Sequence, residues 1–502
     1  MAIAPLSATE PRSSAVILGT SDVSIRITVL VVTVVGLAIY AWKDWYKSLC
    51  GLILLMAAIE HEDMPKAMFG IHGLNMWNML FGVILLAWLV SRGRDGLRWD
   101  LPRHVTILLL AYAGVILIGV LRAIFDRGRM EGYLYGTRGL IAEELINTIK
   151  WVLPGLLLFD GCRTRRQVVM ALVCVLAMYL AISILVIRNM PPQAALSDSG
   201  MLEMKRLKLN DRVGYCATDL SVMLAGACWG IVAALPLVRR KILKILVLGA
   251  AGVCAFGQAL TGGRAGYLAW GFVGLIMCLL KWRRQLVLAP VLVLLLAMIL
   301  PGVTGRMLQG FGQIDASGAT TIDEDAVTSD RTAVWPYVVD KIGQSFWVGH
   351  GRLAMWRTGL YSRIELERPG TGAPHPHNMY LETLLDNGIL GSLPILSLWV
   401  VMVVASAKLF RNGNRLYSAV GGLTLALMLS SLFAGLAGQH VYPQEHTLGI
   451  WAAVFLSLRV YVEEANIATG TTAVNAYSHE VAFMDETQLT ALVHSKHRKV
   501  RI

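Results

Sequence analysis

Apolar runs of about 17–25 residues, each long enough to carry a helix across about 30 Å of hydrocarbon, recur along the chain from Ser24 to Val462. They read as spans over 68–91, 104–124, 140–159, 167–187, 214–237, 241–260, 264–280, 285–301, 388–410, 414–434 and 446–462, preceded by an apolar stretch over 24–60. The pattern predicts an all-α fold, a polytopic membrane protein of about 12 transmembrane helices. The connections alternate in character. Every second one is short and basic: Arg92, Arg94, Arg98 and Arg103; Arg163, Arg165 and Arg166; Arg239, Arg240 and Lys241; Lys281, Arg283 and Arg284; Lys408, Arg411 and Arg415. Positive charge is retained on the cytoplasmic side, so these loops face inward, as does a tail ending in Lys496, His497, Arg498, Lys499 and Arg501. The opposite face carries 125–139, 188–213, Thr261 to Arg264, 302–387 and 435–445. Lys43, Asp44 and Lys47 interrupt 24–60. One crossing there, with a kinked or re-entrant half, gives twelve spans and an inward amino terminus, two give thirteen and an outward one, and the single crossing is preferred.

Composition agrees: 56% of residues are hydrophobic, 16% are charged, and mean hydropathy is +0.59. The net charge of +12 is accounted for by the inward clusters, so no nucleic-acid partner is expected. The seven cysteines lie in or beside apolar runs, which argues against a disulfide framework or a zinc site. Met1 to Asp22 lacks an apolar core with a cleavage motif, and no removable signal peptide is expected.

Polar residues that break the pattern mark the candidate chemistry. The outward loop 188–213 holds Arg188, Lys205, Arg206, Lys208 and Arg212 against the positive-inside bias. They call for an anionic partner: a phosphate-bearing ligand, lipid headgroups, or Glu203 and Asp211. In Gln258 to Tyr267, a glycine turn places Arg264 at the start of a helix, where a cation gains nothing from the helix dipole and a bound anion relieves both. A snorkelling arginine beside a turn that needs glycine is the plainer reading. Glu143, Asn147 and Lys150 share a face of span 140–159 at i, i+4, i+7, either paired with one another or facing a cavity.

The long outward loop departs furthest from a membrane pattern. Asp323, Glu324 and Asp325 read as a solvated acidic turn, and no metal site is expected. Arg331 leads an amphipathic helix with Val334, Trp335, Val338, Val339 and Ile342. Trp347 to Gly351 follows, then His375, His377, Asn378 and Gly388. Asn378 suits a helix N-cap, and Gly388 suits the junction with the next span. His377 at the membrane surface favours its neutral form and can take a hydroxyl proton, a role for which His375 competes.

With these residues in hand, the chain resembles the bacterial O-antigen ligases, within the superfamily that also holds O-antigen polymerases and protein-targeting oligosaccharide transferases. The resemblance rests on the basic outer loop, Thr261 to Arg264, Arg331-x-x-x-Trp335, Gly349-x-Gly351, His377-Asn378 and Gly388-x-x-Gly391, in that order. It implies a glycosyltransferase of the bacterial inner membrane, working on its periplasmic face. Such an enzyme moves O-antigen from undecaprenyl diphosphate, the donor, to lipid A–core, the acceptor, in lipopolysaccharide assembly. The transfer is inverting, without metal, ATP or other cofactor. His377 is then catalytic; Arg264 and, from the basic loop, Arg206 and Arg212 bind the diphosphate; Lys150, Asn147, Arg331, Asn378 and His375 are supporting candidates. The organisation that follows is a cytoplasmic segment 1–23, a transmembrane catalytic domain 24–462 with a large periplasmic loop 302–387, and a cytoplasmic tail 463–502. An O-antigen or exopolysaccharide polymerase shares the donor, as does a protein-glycosylating relative. A lipid or solute transporter is the reading from a different class.

Overall fold

A computed structural model of the chain describes residues 21–59, 64, 67–68, 71–72, 75–95, 99–126, 136–196, 199–311, 313–314, 320–322, 328, 331–370, 374–438 and 441–469. The acidic triplet 323–325 and most of the tail 463–502 lie outside them. Among the described residues, thirteen apolar helices appear in order: α1 (Ser21–Ala41), α2 (Trp45–Ile59), α3 (Met76–Asp95), α4 (Arg103–Phe125), α5 (Thr148–Gly161), α6 (Arg165–Asn189), α7 (Ala217–Ala234), α8 (Lys241–Leu260), α9 (Arg264–Leu280), α10 (Ala289–Ile299), α11 (Met379–Arg411), α12 (Arg415–Ala434) and α13 (Leu448–Thr469). The fold is all-α; among the described residues the strands are two antiparallel ladders of two residues per strand. Among the described residues, seven helices are long and apolar enough to cross a membrane, eight if one bent pair counts as a span. The expected count of 12 is not confirmed: α9, α2 and the apolar part of α1, for example, are only 10–17 residues long.

The stretch 24–60 forms two helices. α1 and α2 fold back as a hairpin about Trp42–Asp44, with Ser48 Oγ bonded to the Leu37 carbonyl at 2.9 Å. The charged residues that look like an interruption are the turn, which needs polar groups that can stay solvated. Tyr46 beside that turn bonds to Cys162 Sγ at 2.9 Å and to the Gln167 carbonyl at 2.7 Å, next to the basic 163–166 connection. At the other end, Tyr215 reaches the Met56 carbonyl. Lys43 and Lys47 thus lie beside the basic 163–166 connection.

Some basic-loop arginines also tie helix ends together. Buried Asp160 accepts from Arg92 Nε at 3.0 Å, Arg163 Nη2 at 3.0 Å and Trp88 Nε1 at 2.8 Å. Arg459 forks onto Asp100 at 2.7–2.8 Å. Planar bidentate pairing of this kind fixes orientation as well as charge.

Two departures from straight helices shape the outer face. After α10 the chain turns by 103° at Leu300 into a short helix, Pro301–Met307, started by a proline whose missing N–H costs nothing there. This bend carries Arg306 back against the body of the protein. The second is a break inside α11 at Gly388, where φ is 60° and ψ −170°. A broken helix leaves donors and acceptors unpaired, which hydrocarbon does not tolerate. The outer-loop segment 346–351 pairs them: His350 and Gly351 N–H donate to the Leu385 and Asp386 carbonyls at 2.8 and 2.6 Å. Ile389 and Leu390 N–H donate to Phe346 and Trp347 at 3.0 Å each. Arg122 fixes the same segment through the Val348 and Gly349 carbonyls at 2.7 and 2.8 Å.

The two backbones meet so closely that a Cβ at Gly388 would stand 2.4 Å from the Gly349 nitrogen. Gly388→Ala therefore combines a backbone clash with an unfavourable φ, and we expect a loss of about 1–3 kcal/mol. Thermal unfolding in detergent checks this. An unchanged melting temperature would show that the segments can separate freely.

Candidate functional site

Four arginines from three outward connections gather at one place. Gly262, at φ 68°, turns its carbonyl toward two of them: Arg206 Nη1 donates to it at 3.2 Å and Arg306 Nε at 3.4 Å. Arg206 ends the helix Ser199–Arg206 in the basic outer loop. Its Nε is buried and has no hydrogen-bond partner among the described residues. Arg264 opens α9 behind Gly263, whose side makes no capping bond, and its Nη1 reaches the Gln309 carbonyl at 3.3 Å. Arg306 is buried and pairs with Glu203 at 2.9 Å. Arg331 opens the amphipathic helix Arg331–Gln344.

The charges interact. Burial first, then the Arg306 charge, lowers the Arg206 guanidinium below its usual range. Burial and then Arg264 and Arg206 do the same to Arg331. Two of these side chains, on Arg264 and Arg331, stand at helix N-termini, where free N–H groups and the dipole already favour an anion. Among the described residues, Glu203 is a carboxylate that pairs with this cluster, through Arg306. A diphosphate would offset the mutual repulsion, and planar guanidinium donors fit its oxygens.

The histidines adjoin this cluster. Trp335, one turn into the helix that Arg331 opens, donates Nε1 to the Pro376 carbonyl at 3.0 Å and so anchors the loop between them. The His375 and His377 rings meet edge to face with centroids 4.1 Å apart, and His375 Nδ1 accepts the His377 N–H at 3.3 Å. His377 sits at φ 51°, in the left-handed region that few side chains occupy, and histidine is among the more tolerant. Asn378 caps α11, its side chain accepting from Tyr380 and Leu381 N–H at 3.0 and 3.1 Å. Burial and then Arg331 lower the His377 imidazole from its ordinary 6.5 to about 4. Burial, His377, Arg331 and Arg352 lower His375 to about 3. Both rings are neutral at physiological pH, further into acid than an unperturbed imidazole.

Below His377 lies a buried ion network that pattern reading missed. Arg352 pairs with Glu144 at 2.7 Å, Asp386 at 3.4 Å and Glu382 at 3.5 Å, and lies 3.5 Å over the Tyr442 ring. Tyr442 Oη donates to Asp386 at 3.0 Å and accepts from Asn387 at 2.8 Å. Glu382 and Asp386, four residues apart on an otherwise apolar helix, were the available signal. Arg306 was missed because it reads as a loop arginine until the 103° bend is known.

Other expected residues fall elsewhere. Arg212 is exposed on the helix Leu209–Val213 and is not among the charges acting on Arg331. The span 140–159 is not a regular helix: Thr137–Ile141 runs into a π turn, Ala142–Asn147, before α5. Asn147 bonds to Glu143 at 2.8 Å, while Lys150 lies over the Trp151 ring at 4.1 Å and the Trp77 ring at 5.6 Å. The polar stripe thus divides between a cleft and an aromatic wall. In the long loop, Val334, Val338 and Ile342 are buried as the amphipathic pattern predicts, whereas Val339 is exposed.

The fold is that of a multi-pass helical membrane protein, and this site gathers four arginines and a histidine pair on the face opposite its basic loops. Residues 249–396 match the family model described as O-Antigen ligase, which supports the resemblance to the O-antigen ligase and polymerase superfamily. At that level the match carries glycosyl transfer and lipid-linked oligosaccharide partners. It includes Arg264, Arg306, Arg331, Arg352, His377 and Gly388, and leaves out Arg206, Glu144 and Tyr442. A search of curated proteins finds no match to the chain.

Proposed function

We propose that the chain is an O-antigen ligase, transferring O-antigen from undecaprenyl diphosphate to lipid A–core at the outer face of the bacterial inner membrane. The gathering of Arg206, Arg264, Arg306 and Arg331 beside a neutral histidine pair carries this reading. An acceptor hydroxyl attacks the anomeric carbon from the side opposite the diphosphate. The carbon–oxygen bond to the diphosphate breaks, and undecaprenyl diphosphate leaves with the electron pair. His377 accepts the hydroxyl proton, and the arginines stabilise charge on the leaving group as it develops. Arg212, exposed on its own helix, is the weakest of the expected diphosphate ligands.

The discriminating experiment incubates the full-length protein in nanodiscs with undecaprenyl-diphosphate-linked glycan and lipid A–core. Glycan on lipid A–core supports the ligase. Lengthened lipid-linked glycan points instead to the polymerase, and no product sinks both. Arg264→Ala is expected to lower turnover about 10²–10³-fold, the effect of removing one preorganised donor to developing negative charge. Transfer at the wild-type rate would remove Arg264 from the site.

A further inference from the structure

His377 stands on a backbone conformation that its side chain does not favour. Its φ of 51° lies in the left-handed region, and a residue other than glycine is held there only where its surroundings over-determine the conformation. Two contacts fix the residues just before it. His375 Nδ1 accepts the His377 N–H at 3.3 Å, and Trp335 Nε1 holds the Pro376 carbonyl at 3.0 Å. A side-chain acceptor bonded to the N–H two residues on is a turn that asparagine commonly makes. Asn378 makes that bond to the Tyr380 N–H in the next step of the chain, at 3.0 Å. His375 thus closes with a ring nitrogen the kind of turn that Asn378 closes with an amide oxygen.

The same bond divides the work of the two imidazoles. A neutral imidazole has one acceptor nitrogen, and its other nitrogen carries hydrogen. With Nδ1 spent on the backbone, His375 keeps Nε2–H, a donor, and has no lone pair left for a hydroxyl proton. Among the described residues, no hydrogen bond occupies either ring nitrogen of His377. The two rings meet edge to face with centroids 4.1 Å apart, which limits how far the His377 ring can turn. We propose that His375 is a positioning residue: its Nδ1 closes the turn that aims His377, and it is not itself the proton acceptor. The proposal rests on the transfer reading above and separates the roles of its two histidines.

The test compares two variants of the full-length protein in nanodiscs. His375→Asn keeps an acceptor for the His377 N–H but has no imidazole; His375→Leu keeps neither. Leucine is expected to lower kcat about tenfold, the effect of one lost hydrogen bond, with donor KM unchanged. Asparagine is expected to recover most of that loss and to keep the acid limb of kcat/KM, since His377 still titrates. Equal losses in both variants, or an acid limb that vanishes with asparagine, make His375 the proton acceptor and overturn the assignment. Wild-type kcat in the leucine variant overturns it too. A second readout needs no turnover and no leucine variant. Nitrogen-15 NMR of the wild-type histidines, with His375 assigned by its loss in His375→Asn, should show Nδ1 bare and Nε2 protonated at neutral pH. Hydrogen on Nδ1 overturns the proposal. If the wild type transfers nothing, the ligase reading fails, and the spectrum alone then judges His375.

Discussion

Replacing His377 with asparagine is expected to abolish glycan transfer while leaving donor binding close to wild type. Asparagine is chosen because it tolerates the left-handed backbone found there, so loss of the imidazole is not confounded with loss of the turn. The loss should be about 10²–10⁴-fold, the usual contribution of a positioned proton acceptor. In the proposed mechanism neutral His377 is the reactive form, and burial with Arg331 lowers its pKa to about 4. The acid limb of kcat/KM, which reports free enzyme, is therefore expected near pH 4 rather than 6.5. Bound diphosphate offsets Arg331, so the acid limb of kcat should lie at higher pH. Rates across pH 3.5–8 with wild type and His377→Asn decide the matter. Wild-type turnover in the variant would exclude His377 as proton acceptor, and an acid limb at 6.5 in kcat/KM would contradict the buried setting.

Arg352→Met is expected to have the largest effect on stability. It removes the cation but leaves Glu144, Glu382 and Asp386 facing one another in a buried space. Removing one partner of a buried network typically costs about 3–5 kcal/mol, because desolvated charge is left uncompensated. Thermal unfolding in detergent should show a large fall in melting temperature. Adding Glu144→Gln should recover part of it, since one of the stranded charges is then gone. Wild-type stability in Arg352→Met would mean that the network contributes nothing.

Much of this architecture was legible because it is local. Apolar run length marked most helices, and alternating basic loops marked their ends. The glycine turn before Arg264, the Asn378 cap and the special backbone at Gly388 each follow from a few neighbouring residues. What escaped depends on distance in sequence. Glu144 and Arg352 are 208 residues apart, and neither position announces the other. Arg306 joined the arginine cluster through a bend that apolar content does not encode. The hairpin at Trp42–Asp44 is left open by the sequence because charged residues look the same whether they break a span or turn between two helices. The π turn at Ala142–Asn147 left no mark in helical spacing, yet it shapes one wall of a cleft that Arg352 also lines.

The pairing of segment 346–351 with the break in α11 bears on how such proteins can be recombined. A periplasmic-type loop is usually treated as a module to be exchanged between relatives. Here the loop completes the backbone bonding of a membrane helix, and the helix completes that of the loop. A transplanted loop without its own glycine opposite Gly388 would arrive as an unpaired ribbon and leave an open seam in its host. The interchangeable unit is loop and helix together, and a chimera must take both or neither.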